Sequence, residues 1–71
     1  MQKGTIIITE DNTKYEVIEH IDDFSNGDGG WICINTSAMN ESEISPYDYW
    51  RVSDKYLKMQ IMRGAIRILE K

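Results

Sequence analysis

Five consecutive β-branched residues, Thr5-Ile6-Ile7-Ile8-Thr9, stand near the start of the chain. Such side chains are stiff at χ1 and pack well on a pleated surface, so the run predicts a strand. A strand needs partners along its edges and cover on one face. With 71 residues to work with, the chain is expected to build that sheet as one domain, since domains commonly run about 50–200 residues. A domain of this size buries only about 60% of its unfolded surface. That leaves room for one small core and one surface site, not for a large buried catalytic apparatus.

The rest of the chain continues in the same style. Glu10, Asp11 and Asn12 supply turn chemistry. From Lys14 to Ile21 the pattern alternates, with Tyr15 and Val17 on one face and Lys14 and Glu16 on the other. Ile18 directly follows Val17 and breaks the phase, which predicts a bulge or bend near 18–19. If the register holds past that slip, His20 faces outward. Residues 22–30 read as a loop in which Gly27, Gly29 and Gly30 permit positive φ. Trp31 to Thr36 reads as a third strand, residues 37–48 as a long polar connection containing Pro46, and Tyr49 to Val52 as a fourth strand.

The C-terminal part carries clear helix punctuation. Ser53 suits an N-cap, Asp54 the positive end of the helix dipole and Arg63 the negative end. Gly64 suits the left-handed closing position. Between them Leu57 and Ile61 share a face, so a helix is expected over 54–63. Residues 65–69 return to alternation, with Ile66 and Ile68 inward and Arg67 outward. The fold expected is a single mainly-β domain of about five strands, with one short helix before the last strand. This layout resembles a small SH3-like barrel, and closing the sheet would remove its edges.

Charge is unevenly placed. The chain has a net charge of −4. Residues 1–50 hold two bases against ten acids, and residues 51–71 hold six bases against two acids. In so short a chain the two parts are expected to lie side by side and neutralise each other. The one cysteine, Cys33, cannot form an internal disulfide, which favours a reducing, cytoplasmic setting. The Ile6–Ile8 run is far shorter than the apolar core of a signal peptide, and no stretch is long enough to span a membrane.

Little in the sequence points to catalysis. His20 is the single histidine, and Cys33 has no basic neighbour in sequence to lower its pKa. They read as a surface imidazole and a half-buried thiol. Asp22, Asp23, Asn26 and Asp28 bunch oxygen ligands, but Phe24 and Cys33 fall where a calcium loop needs oxygens. No metal and no cofactor is expected. Two binding readings remain. In the first, the aromatic residues Tyr47, Tyr49 and Trp50, with the acids Glu41, Glu43 and Asp48, form a contact surface for a protein partner. Tryptophan and tyrosine dominate such interfaces because they combine apolar area with a polar tip. Small acidic inhibitors encoded by phages and mobile elements are similar in size and charge. In the second, Arg51, Lys55, Lys58, Arg63 and Arg67 bind nucleic acid, with nearby rings stacking on bases. The net negative charge opposes that reading, because phosphate neutralisation dominates such affinity. Self-association through the aromatic patch or a strand edge is compatible with both.

Overall fold

The computed structural model describes residues 1–25, 27–40 and 45–69, and of residues 39 and 40 the backbone alone. The expectations placed on Asn26, Glu41 and Glu43 lie outside these residues. Five strands and one helix follow in the order β1 (Ile6–Ile8), β2 (Lys14–Ser25), β3 (Asp28–Asn35), β4 (Tyr49–Ser53), α1 (Asp54–Met62) and β5 (Arg67–Leu69). The strands form one antiparallel sheet in the order β4-β3-β2-β1-β5.

The sheet is open. β4 and β5 sit at opposite edges and do not pair, so the expected barrel is not closed. The reason lies in the α1 crossover. The chain leaves β4 at one edge and returns as β5 at the other, and the helix lies over one face on the way. Ile7, Val17, Cys33 and Val52 from the sheet bury against Leu57 and Ile66 from the crossover. A helix thus covers the apolar face that a curled sheet would otherwise enclose.

Local chemistry explains most element ends. At the β1–β2 turn, the Asn12 amide donates to the Thr9 carbonyl at 2.9 Å, and Asn12 itself adopts φ 66°. This is a type I turn followed by a left-handed residue, a common three-residue hairpin loop in which asparagine is well tolerated. The bulge expected near 18–19 is present. Val17 pairs with Cys33 and Glu19 with Ile32, leaving Ile18 as the extra residue. Its consequence corrects the placement of His20. The bulge rotates the following residues, and His20 comes to the helix side of the sheet, opposite Trp31.

The loop expected over 22–30 is replaced by strand on both sides of its tip. β2 runs to Ser25 and β3 starts at Asp28, with Ser25 opposite Asp28. Gly27 takes φ 84° in the tip, and its amide donates to Asp23 Oδ1 at 3.1 Å. The neighbouring glycines serve close approach instead of positive φ. A Cβ on Gly30 would lie 2.4 Å from Phe24 Cγ, and one on Gly29 would lie 2.5 Å from Asp54 Oδ2. The connection after β3 also has structure of its own, with short 3-10 helices over Thr36–Asn40 and Pro46–Asp48. Ala38 of the first is buried.

The helix has the expected caps. Ser53 Oγ accepts the Tyr56 amide at 3.1 Å, and Arg63 is the C-cap. Gly64 closes it at φ 77°, with the Gly64 amide bonded to the Ile61 carbonyl and the Ala65 amide to the Gln60 carbonyl. This paired arrangement satisfies two otherwise orphaned carbonyls. Leu57 is buried, but Ile61 is 41% exposed, so the helix packs through its first half. Among the described residues no helix is long and apolar enough to cross a membrane.

Candidate functional site

Alternation sorts the sheet residues into two faces. Tyr15, Val17, Trp31, Cys33, Trp50 and Val52 point toward the helix, and Cys33 stands between Val17 and Trp50 in the register. The opposite face carries Glu16, Ile34 and Tyr49 in one cross-strand row, and Glu19, Ile32 and Arg51 in the next. Along the second row runs a groove of about 730 Å³, lined by Ile18, Glu19, Ile32, Pro46, Tyr49 and Arg51. The bulge contributes Ile18 to its wall, and Glu19 and Arg51 bring one charge of each sign.

The rim of this groove is a locked turn. The Ser45 amide donates to Asp48 Oδ2 at 2.9 Å, and the Tyr47 amide donates to Ser45 Oγ at 3.2 Å. This reciprocal capping box, with Pro46 at the first helical position, fixes the backbone on both sides of Tyr47. The Tyr47 side chain projects from it 97% exposed. Asp48 is therefore a structural cap as well as a surface acid.

The aromatic surface expected from the sequence is divided by this geometry. Tyr49 lines the groove on the open side with Pro46, and Tyr47 projects into solvent from the turn next to them. Trp50 points the other way, packs against the core, and meets Tyr15 with ring centroids 4.9 Å apart. Glu41 and Glu43 fall outside the described residues. The five basic residues are exposed and are spread over β4, α1 with its C-cap, and β5. Arg51 and Arg67 occupy opposite edge strands, with three strands between them. Lys55 and Lys58 are on α1, and Arg63 follows it. Arg67 donates to Asn12 Oδ1 at 3.4 Å.

His20 and Cys33 have separate fates. His20 Nε2 lies 3.1 Å from Asp54 Oδ2, and Nδ1 lies 3.2 Å from Asp22 Oδ1. Its ring also packs on Trp31 at 4.3 Å. The Asp54 hydrogen bond is the main reason the imidazole pKa is raised above 6.5. Cys33 is fully buried, not half-buried, and burial pushes its thiol up to about 11. A neutral thiol out of reach of water is inert as a nucleophile. Among the described residues no group of three or more His, Cys, Asp or Glu converges to hold a metal ion. The two carboxylates at His20 flank different ring nitrogens, and Asp23 is engaged in closing the hairpin.

Sequence reasoning missed the groove, because its walls come from three separate segments. The signal that brings Glu19, Ile32 and Arg51 into one row is the pairing register across β2, β3 and β4. Together these features define an open five-stranded antiparallel sheet, roofed on one side by a single helix and grooved on the other. No family model matches the chain, and no curated protein or solved structure is significantly similar to it.

Proposed function

We propose that this chain is a non-enzymatic protein-binding module, an adaptor or inhibitor, that engages its partner through the open face of the sheet. The observation that carries this reading is Tyr47, 97% exposed on a turn locked by a capping box. A fully exposed aromatic on a fixed backbone loses little entropy on binding, which is how rigid tyrosines act as interface anchors. Tyr49 and the groove beside it extend the same surface with apolar walls and a charge of each sign at Glu19 and Arg51. The nucleic-acid reading has less support, because its five cations are spread over both sheet edges and the helix rather than aligned in one track.

The test is capture of a partner from nuclease-treated lysate, read by native mass spectrometry. The wild-type chain is expected to retain a stoichiometric protein. The double variant Tyr47→Ala, Tyr49→Ala is expected to lose it at least tenfold while circular dichroism stays unchanged. Undiminished capture by a folded double variant refutes the site. Absence of any captured protein refutes the function.

A further inference from the structure

The helix side of the sheet holds a second recess that the open-face reading does not use. It has a volume of about 340 Å³ and lies where the β1–β2 turn, the sheet and α1 meet. Three aromatic side chains line it: Tyr15 from β2, Trp50 from β4 and Tyr56 from α1. Tyr15 and Trp50 meet with their planes inclined at 45°, so the two rings form a corner rather than a flat stack. Tyr56 comes from the helix and is 49% exposed. Glu10 and Asp11 of the turn also line the recess, and Gln60 adds a neutral polar group.

The charge in this recess has one sign. Among the described residues that line it, Glu10 and Asp11 are the charged ones, and neither a lysine nor an arginine contributes. Asp11 is fixed in place, accepting from the Thr9 hydroxyl and from the Thr13 amide. Those bonds hold its carboxyl below the usual range, so it is ionised at neutral pH. Arg67 reaches the same turn but is bonded to Asn12 and does not line the recess. Aromatic faces carry negative quadrupole charge, and several of them around one space attract a cation, most strongly when carboxylates stand at the rim. An anion would be repelled here, and a purely apolar ligand would gain nothing from Glu10 and Asp11.

We propose that the recess formed by Tyr15, Trp50 and Tyr56, with Glu10 and Asp11, is a binding site for an alkylammonium group. A basic side chain of a partner protein and a free small amine both carry that chemistry. The site lies on the opposite side of the sheet from Tyr49, so it stands or falls separately from the open-face reading.

The experiment is a two-dimensional NMR titration of the full chain, following the indole N–H of Trp50 with that of Trp31 as internal reference. The probes are Nα-acetyl-lysine methylamide, its Nζ-trimethyl form, tetramethylammonium chloride, and neutral Nα-acetyl-norleucine methylamide. The cations are expected to shift Trp50 saturably with millimolar affinity, the trimethyl form most strongly, while norleucine leaves it unmoved. Tighter binding of the two lysine probes than of tetramethylammonium assigns the site to a partner's side chain. Equal binding assigns it to a free amine, and both results uphold the proposal. Tyr56→Ala is expected to weaken binding about tenfold. Glu10→Gln, on an exposed turn, is expected to weaken it several-fold and serves where the tyrosine variant fails to fold. Equal shifts from norleucine and the cations overturn the proposal, as does an unmoved Trp50 with all probes.

Discussion

At His20 a single proton ties the sheet to the helix. The imidazole stands between Asp22 of its own strand and Asp54, the first residue of α1, and rests on Trp31. β3 contributes no charged group to this contact; Gly29 leaves the space through which the histidine and Asp54 meet. Protonated, His20 forms an ion pair on each ring nitrogen. Neutral, it can donate through one nitrogen only. Its folded pKa is raised above 6.5, with the Asp54 hydrogen bond as the first cause. A raised folded pKa means that the stabilisation is fully present below the unfolded value and is lost as pH rises through the folded one. The stability advantage of wild type over His20→Gln is therefore expected to be larger at about pH 5.5 than at about pH 8.5. Asp54→Asn should remove most of this dependence, and Asp22→Asn less of it. Urea midpoints of the four proteins at the two pH values check this; parallel behaviour of wild type and His20→Gln would refute it.

At the scale of elements, β4 shows how a strand divides neighbouring residues between two roles. Tyr49 and Trp50 are adjacent in sequence but lie on opposite faces, one beside the groove and one against the core. Trp50→Ala should cost about 3 kcal/mol, near the low end for a large aromatic because the ring is only partly buried. Tyr49→Ala should change stability by less than about 1 kcal/mol. Urea unfolding of both variants tests the division, and equal losses would contradict it. The contact surface expected from the sequence held both rings, although β4 alternates; β1, the Ile18 bulge, the Ser53 cap and the Gly64 stop were legible, because each depends on local chemistry. The β2–β3 hairpin was harder to read. Its arms carry Asp22, Asp23, Asp28, Gly29 and Gly30, which locally favour loop, and cross-strand contacts such as Phe24 over Gly30 override that preference. Asn26-Gly27 between the arms is a strong hairpin signal that the acidic surroundings obscured. The groove and the aromatic recess were not legible, since each needs the register of several strands and the path of α1.

The whole molecule answers the charge asymmetry by wrapping. β5 and the basic half of β4 from Arg51 belong to the basic C-terminal part, and the acidic β2–β3 hairpin lies between the two edge strands. The arrangement brings Arg51 into the same cross-strand row as Glu19, with Ile32 between. It also decides how an open sheet avoids pairing with its copies. β5 has three residues, too few for a stable strand-to-strand contact, and begins with the exposed Arg67. β4 is longer, with five residues and no proline, and Arg51 at its centre is the charge that guards it. Two copies joining antiparallel through β4, centred on that residue, would set Arg51 against its own counterpart, a like-charge pairing that destabilises the contact. The wild-type chain is therefore expected to sediment as a monomer at concentrations of about 100 μM, weaker than stable interfaces hold. Arg51→Val removes the guard and supplies a β-branched residue, and its sedimentation coefficient should rise with concentration. Raised salt should move wild type in the same direction, by screening the two guanidinium groups, while leaving Arg51→Val unaffected. A variant that stays monomeric would mean that something other than Arg51 protects this edge.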